Sequence, residues 1–309
     1  MALNQQSTVK GICFILATAL ISSAAATASK WVASDVPVPM IVLSQYVICL
    51  LLSLPWLMGQ PLQKLGSKQL KTHLLRGIAG WLCFFSYYAA LSKIPLVDAA
   101  LLRNAAPIFV PLIAWLWVGA IVPVKRWYPV LIGLVGISLI LQPGAASVSA
   151  GHLFGLLSGV MLAASMVGTR ILSLSDNANL ILFYYSVISL ILSVPLAIIY
   201  WQAIPMWTFP YLLLNGAAIF LAMWLYTKAY SYAKPSVISP ISYFGVVLSG
   251  LMGWLIWGHL PSHTALLGTL VVIAAGLLTL FQSPPPQEDV SVKQAGDENH
   301  LRSQGTVKQ

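Results

Sequence analysis

Long apolar stretches, separated by proline, glycine or charged residues, follow one another along most of this chain. Ten of them can be distinguished, at residues 11–33, 38–58, 73–92, 96–119, 126–142, 150–172, 179–201, 209–232, 235–258 and 263–281. A helix needs about 20 apolar residues to cross the hydrocarbon core of a bilayer. The stretches are too long for barrel strands and lack a two-residue alternation of polar and apolar positions. The pattern predicts an all-α polytopic membrane protein with ten transmembrane helices.

Segments of the first half of the chain recur in the second half. The segment VICLLLSLP at 47–55 returns as VISLILSVP at 187–195, with six of the nine positions identical. The segment WLWVG at 115–119 returns as WLIWG at 254–258. The offsets of 140 and 139 residues are nearly the same, so the two halves are related as wholes.

We interpret the chain as two five-helix repeats, at 11–142 and 150–281. Because five is an odd number, the second repeat must enter the membrane from the side opposite the first. The sequence thus predicts two inverted five-helix repeats, an arrangement common among secondary transporters. A duplication without mechanistic meaning is the alternative interpretation.

Composition indicates that lipid surrounds most of the chain, and the distribution of charge indicates how the chain is oriented in the membrane. The chain is 59% hydrophobic and 7% charged, with a mean hydropathy of +0.85, whereas soluble domains are about 25% charged. If the N-terminus is cytoplasmic, thirteen of the sixteen basic residues lie inside, and only Lys30 and Lys93 lie outside. The thirteen are Lys10, Lys64, Lys68, Lys71, Arg76, Lys125, Arg126, Arg170, Lys228, Lys234, Lys293, Arg302 and Lys308. Positive charge concentrates on the cytoplasmic side, so the net charge of +9 indicates topology rather than nucleic-acid binding.

Both termini are therefore predicted to be cytoplasmic, in an inner-membrane protein. Residues 1–10 form the N-terminal segment, and the polar residues 282–309 form a disordered tail. The first span, which follows Lys10 and contains small residues, could instead be a cleavable signal peptide. The repeat argues against removal, because the first five-helix unit needs this helix.

The sixteenth basic residue, Arg103, lies inside the fourth apolar stretch. If 96–119 is one helix, the face with Arg103 carries small residues and proline, namely Ala99, Ala106, Pro107, Val110 and Ala114. The opposite face carries Leu101, Ala105, Ile108, Leu112 and Leu116, which suits lipid. Small residues allow close approach, so we predict that Arg103 points into the bundle. Snorkelling is the alternative, because Arg103 lies roughly 10 Å from the outer helix end.

Two proline-containing segments occupy corresponding places in the two halves. Pro107 can loosen the fourth helix and free backbone carbonyls, which is tolerated where a cavity or a neighbour satisfies them. In the ninth stretch, Pro240 lies among polar residues, Ser236, Ser239, Ser242 and Tyr243. Both segments are candidates for the wall of a central cavity.

Groups for catalysis or metal binding are sparse in the spans. Before the tail, the only acidic residues are Asp35, Asp98 and Asp176, all near predicted helix ends. The histidines and the three cysteines have no metal-ligand spacing. The sequence predicts no catalytic residue, no metal site and no cofactor. Because no deeply buried carboxylate is present, facilitated or exchange transport fits at least as well as proton-driven exchange.

The chain resembles the drug/metabolite transporter superfamily, specifically its EamA-type ten-helix members. The resemblance lies in HLLRGIAGWLCFFSYYAALSKIPLVDAALLRNAAPIFVPLIAWLWVG at 73–119 and in its partner LYTKAYSYAKPSVISPISYFGVVLSGLMGWLIWG at 225–258, and it covers about 10–281. Two departures concern charges: Gly119 and Gly258 are not followed by the glutamate frequent in the family, and Gln45 stands where an arginine is frequent. Roles of those charges in relatives are not transferred.

The resemblance implies that the third, fourth, eighth and ninth helices line a central cavity. The candidate solute-binding residues are Arg103, Pro107, Trp81, Tyr87, Tyr88, Trp224, Tyr226, Ser239 and Tyr243. For the aromatic residues, the alternative is an interfacial belt. Aromatic rings, hydroxyls and one arginine suit an amphipathic organic solute, including one with a carboxylate.

The sequence predicts a secondary transporter that moves a small organic solute by alternating access. Candidate solutes are amino acids, nucleotide-like metabolites and amphipathic drug-like compounds. A membrane-embedded enzyme or a non-transporting scaffold is the alternative. Expected partners are the solute and membrane lipid, and the protein is expected to be a monomer or a homodimer.

Overall fold

The computed structural model describes residues 2–61, 65–119, 127–141, 149–172, 175–232, 244–258 and 262–281. Within these ranges the regular secondary structure is helical, and no β-strand occurs. The helices are α1 (Ala2–Val32), α2 (Val38–Met58), α3 (Leu70–Leu91), α4 (Leu96–Asn104), α5 (Ala106–Val118), α6 (Trp127–Leu141), α7 (Ala150–Leu172), α8 (Ala178–Ile199), α9 (Phe209–Tyr232), α10 (Phe244–Trp257) and α11 (His263–Phe281). A 3₁₀ helix at Met206–Thr208 leads into α9.

Seven helical segments of the described chain are long and apolar enough to cross a membrane, if α4 and α5 are taken together as Leu96–Trp117. Three shorter apolar helices accompany them, at Val130–Ile140, Phe244–Trp257 and His263–Ala275. The prediction of an all-helical multi-pass membrane protein is thus confirmed. The count of ten spans stays a prediction.

Local sequence explains where several helices begin and end. Asn177 caps the start of α8, because its side-chain oxygen accepts a hydrogen bond from Leu180 N at 2.8 Å. Gly119 and Gly258 follow the ends of α5 and α10 with φ of 65° and 67°. A Cβ at either glycine would have open space, so the left-handed backbone alone favours glycine there. These two residues are related by the repeat offset of 139.

The segment 96–119 is not one helix, which corrects the sequence prediction. It breaks at Ala105, between α4 and α5. Pro107, in the first turn of α5, has no N–H that could continue the hydrogen-bond ladder of α4. Leu101 and Ile108, predicted to face lipid, are buried at 3% and 0% exposure. Leu101 lies on α4, which packs against both α7 and α10, and Ile108 lies on α5 against Gly133 of α6.

Contacts between the two halves occur in equivalent pairs, as expected if the halves are related by a two-fold axis. A Cβ at Gly77 would come within 2.6 Å of Ile188, and a Cβ at Gly216 within 2.7 Å of Ile48. Each glycine is the repeat counterpart of the other, as is each isoleucine. The packing therefore supports the duplication read from the sequence.

Helices from opposite halves pair throughout the described chain: α1 with α9, α3 with α7, α2 with α8, and α6 with α11. Glycines allow the closest of these approaches. A Cβ at Gly136 of α6 would lie 2.9 Å from the carbonyl oxygen of Gly268, and a Cβ at Gly268 of α11 would lie 2.6 Å from that of Gly136. Small residues at such crossings replace the hydrophobic effect as the basis of helix association in lipid.

Candidate functional site

The centre of the candidate site is formed by α3 and α4. Phe84, Tyr87 and Tyr88 have helical spacing, which places them on one face of α3, and all three are buried. The Arg103 guanidinium carbon lies 4.6 Å from the ring centroids of both Phe84 and Tyr87. Each such cation–π contact contributes about 0.5–2 kcal/mol. Aromatic side chains thus stabilise the guanidinium, in place of a carboxylate.

The hydrogen-bonding capacity of Arg103 is not fully used. Its Nε is buried and has no hydrogen-bond partner among the described residues. Its nearest electrostatic neighbours are Cys83, Tyr87 and Tyr88. A buried donor without an acceptor costs roughly 1–3 kcal/mol. The arrangement can therefore accept an anionic or carbonyl oxygen from a ligand, whereas a snorkelling arginine would place its head group at the lipid–water boundary.

A buried polar cluster adjoins the aromatic face. Tyr88 Oη donates a hydrogen bond to Gln45 Oε1, and Asn215 Nδ2 donates to Tyr88 Oη at 3.1 Å. All three side chains are at most 1% exposed. Gln45 Nε2 has no partner within the described chain. The cluster joins α2, α3 and α9, so both halves of the molecule contribute to it.

Gln45 and Asn215 were not predicted as site residues from the sequence. They are 170 positions apart, so no local pattern joins them. One signal was available for Asn215: at the repeat offset of 139 it is the counterpart of Arg76. A polar residue at equivalent depth in both halves indicates a shared pocket.

A second aromatic pair lies closer to the start of α3. The hydroxyls of Tyr46 on α2 and Tyr185 on α8 are 2.6 Å apart. The guanidinium carbon of Arg76 lies 3.8 Å from the Tyr185 ring centroid. Arg76 is only 5% exposed, so it lies in the interior of the bundle. Its location towards the cytoplasmic side stays a prediction.

The other predicted site residues are distributed unevenly. Trp81 lies on α3, where its Nε1 donates to Ser193 Oγ at 2.9 Å. Pro107 is half-buried at the break after Arg103. Trp224 is 38% exposed, and its ring centroid lies 5.5 Å from the Lys228 ammonium. Tyr226 packs against a small cluster around Ile15. Ser239 and Tyr243 lie outside the described residues, and binding roles for all nine stay predictions.

A separate crevice of about 240 Å³ lies between α1, α9 and α10. Its lining is mostly apolar, with hydroxyl groups only from Ser23, Thr27 and Tyr211, and it includes the half-exposed Trp31. None of the lining residues carries a charge. The crevice therefore offers no charged group that could recognise an ionic solute.

At one end of the bundle, polar contacts join the loop before α3 to the turn between α7 and α8. Asp176 Oδ2 lies 2.7 Å from His73 Nε2 and accepts a hydrogen bond from Ser67 Oγ at 2.6 Å. Gln69 Nε2 donates to Ser175 Oγ at 3.0 Å. We refer to these five residues as the Asp176 link. At the opposite end, the related loops are joined by a bond from Gln202 to the Asp35 carbonyl.

The environment of Asp176 changes its acidity. Partial burial opposes ionisation, but the hydrogen bonds from Ser67 and His73 outweigh it and lower the pKa of the Asp176 carboxyl below its ordinary value. A carboxyl whose pKa is lower in the folded than in the unfolded state stabilises the fold above the unfolded pKa, near 4. This stabilisation is lost as the pH falls through the folded-state pKa.

We therefore expect Asp176→Asn to lower the thermal unfolding midpoint at pH 7 by a few degrees. The difference from wild type is expected to shrink as the pH falls below about 4, because the wild-type carboxyl is then protonated as well. Unfolding scans of the purified protein in detergent at several pH values measure this. Asp35→Asn, at an exposed turn, is the control. A wild-type minus Asp176→Asn difference that is constant from pH 7 to pH 3 would contradict the prediction.

Among the described residues, no three His, Cys, Asp or Glu side chains come together as metal ligands do. Cys49 and Cys83 are buried and far from a disulfide partner in that part of the chain, and Cys13 is exposed. The chemistry of the described centre is therefore that of a cation, aromatic faces, hydroxyls and amides.

Comparison with known proteins adds a family to this geometry. The model of the EamA-like transporter family matches residues 9–142 and 149–281, once for each half. A solved crystal structure aligns with 89% of this chain and 97% of its own, with a TM-score of 0.60 and 18% sequence identity. At that identity the likeness concerns the fold alone.

Curated relatives carry transporter names. The riboflavin transporter of Vibrio cholerae is 28% identical over 292 residues, which cover 90% of this chain and 94% of that protein. The pseudopaline exporter CntI of Pseudomonas aeruginosa is 29% identical over 207 residues, 65% of this chain and 72% of the exporter. The S-adenosylmethionine uptake transporter of Rickettsia bellii is 22% identical over 271 residues, 88% of this chain and 93% of that protein.

Proposed function

The chain belongs to the EamA-like transporter family, and we propose that it carries a small organic solute across the inner membrane by alternating access. The observation that carries the proposal is Arg103, a partly satisfied guanidinium held against aromatic rings within a membrane span. Charged residues within spans are expensive and mark solute pathways. Amino acids, nucleotide-like metabolites and amphipathic drug-like compounds are the candidate solutes.

Alternating access requires two halves that can exchange conformations. We take the repeats 11–142 and 150–281 to be inverted relative to each other, with both termini in the cytoplasm. The reciprocal contacts of Gly77 with Ile188 and of Gly216 with Ile48 support this pairing. In such a bundle, the solute lies where the halves meet, and the closed end changes sides during the cycle.

The chemistry of the centre supports an amphipathic solute. The Arg103 guanidinium can hold a carboxylate or another anionic group, and the faces of Phe84 and Tyr87 can hold an apolar ring or chain. Gln45 Nε2 offers a further buried donor. The names of the relatives include an exporter and an uptake transporter with different cargoes, so kinship alone selects neither cargo nor direction.

The test is counterflow in liposomes that contain the full-length purified protein. We expect uptake of a labelled solute to saturate and to be accelerated by the same unlabelled solute inside the vesicles. Chemical conversion of the solute would instead indicate an enzyme. Uptake that rises linearly with concentration and is not accelerated would indicate a pore. Absence of uptake across a panel of amino acids, nucleotides and aromatic acids would favour a scaffold.

A further inference from the structure

Arg76 is buried as deeply as any basic residue of the described chain. It projects from α3, and its Nε donates to Thr169 Oγ1 of α7 at 3.1 Å. Its guanidinium lies over the Tyr185 ring of α8. Its Nη1 is buried and has no partner among the described residues. Like Arg103, it combines an aromatic platform with an unused N–H donor.

The protein has few carboxylates that could neutralise these two arginines. Only three of its seven acidic residues precede the tail. Asp176 is held by His73 and Ser67, Asp98 interacts with Lys30, and Asp35 is exposed at the α1–α2 turn. Within the described residues, the His73–Asp176 pair is the only ion pair shorter than 4.0 Å. Neither arginine therefore has a carboxylate in contact in this part of the chain.

Aromatic contacts alone do not offset the burial of two guanidinium groups. A charged side chain within a span is costly to insert. Cation–π contacts and, for Arg76, the hydrogen bond to Thr169 return only part of that cost. Two anionic groups of a ligand would offset the remaining cost of burying the guanidinium groups. They would also accept hydrogen bonds from the two unused N–H donors.

The two arginines lie at different depths along α3 and α7. Arg103 lies over Phe84 and Tyr87 of α3, and the Tyr185 ring, over which Arg76 lies, packs against Gly80 of α3. On α7, Gly168 packs against Arg76, whereas Gly159 packs against the carbonyl of Leu102, next to Arg103. The separation of nine residues corresponds to roughly 13 Å along the helix. We therefore expect that a ligand needs an extended shape to contact both arginines.

We propose that Arg76 is a second anion-binding residue of the transport site and that the cargo is an extended dianion of the dicarboxylate type. One anionic group binds Arg103 over Phe84 and Tyr87, and the other binds Arg76 over Tyr185. This inference rests on the proposed transport function and narrows its solute class. It differs from binding of a single carboxylate, for which Arg103 suffices.

The experiment measures binding to the full-length protein in detergent by isothermal titration calorimetry. The probes are dicarboxylates from succinate to suberate, inorganic phosphate as a compact dianion, and the monomethyl esters as ligands of equal length with one charge. We expect an optimum length at which the diacid binds at least tenfold more tightly than its monoester. Arg76→Gln is expected to reduce that ratio to about one while monoester affinity stays within twofold. Lys93→Gln, at an exposed position, is the control and is expected to retain the wild-type ratio.

Several outcomes would overturn the inference. They are equal affinity for diacid and monoester in the wild type, tighter binding of phosphate than of every dicarboxylate, or an unchanged ratio in Arg76→Gln. The comparison of diacid with monoester needs only the wild type, so it tests the inference even if Arg76→Gln does not fold. Counterflow of other solutes without dicarboxylate binding would overturn this inference and leave the proposed transport intact. Absence of any counterflow would overturn the proposed function.

Discussion

Replacing Arg103 with alanine is expected to lower the rate of carboxylate counterflow by about a hundredfold, which corresponds to the few kcal/mol lost when one member of a buried charge pair is truncated. The guanidinium over Phe84 and Tyr87 would supply the cation of that pair, with the cargo as its anion. Saturable uptake by proteoliposomes at equal protein density measures the loss. Lys71→Ala, which removes an exposed cation from the first turn of α3, is the matched control and is expected to transport normally.

Stability distinguishes this role from a structural one. A buried guanidinium with an unused donor destabilises the empty protein. Arg103→Ala is therefore expected to unfold at the same temperature as the wild type or a higher one. Arg103→Lys keeps the charge but not the planar group, so it should recover only part of the transport rate. Normal uptake by Arg103→Ala, or a markedly lower unfolding temperature, would favour snorkelling or structural pairing instead.

The second large effect is expected from a single methyl group at Gly159. A Cβ there would lie 2.5 Å from the carbonyl oxygen of Leu102, and a backbone atom cannot rotate away. Alanine usually stabilises a helix by about 1 kcal/mol relative to glycine. Here we expect Gly159→Ala to destabilise by about 2 kcal/mol, as overpacking does, and to weaken cargo binding because α4 carries Arg103.

Gly253 provides the matched comparison for Gly159. It faces α4 from α10, and a Cβ there would lie 3.7 Å from Leu96, which is ordinary van der Waals contact. Gly253→Ala is therefore expected to be neutral or mildly stabilising. Unfolding midpoints in detergent and cargo affinity, measured for both variants, check the pair. Equal behaviour of the two variants would contradict the close approach of α7 to α4.

The lengths of the apolar stretches and the internal repeat predicted much of this fold. In lipid, each span must be an apolar helix, so spans can be recognised one at a time. Duplication adds long-range information, since Gly77 and Gly216 are repeat counterparts and each packs against the isoleucine that corresponds to the other's partner. The glycine spacing on α7 was also readable: Gly151, Gly155 and Gly159 recur every four residues, which is typical of a close helix contact.

The depth of a charge was not readable in the same way. Counting basic residues predicts the side of the membrane on which Arg76 lies but not its depth, and Arg76 is buried because Tyr185 and Thr169 come from other helices. Leu101 and Ile108 were predicted to face lipid, but they are buried by neighbouring helices. Such burial depends on tertiary contacts that a helical wheel does not contain.

The crossing of α6 and α11 would restrict the motion that alternating access requires. Gly136 and Gly268 bring main chain against main chain, and the side chains of Val272 and Ile140 pack closely beside them. If α6 and α11 slid past each other, a larger side chain would meet a backbone carbonyl at the crossing point. Rotation of the two helices about that point would leave the distance between their backbones unchanged. We expect the crossing to be a fixed pivot point. Distances between spin labels on α6 and α11 should stay constant, whereas distances between labels near Asp176 should vary with bound cargo.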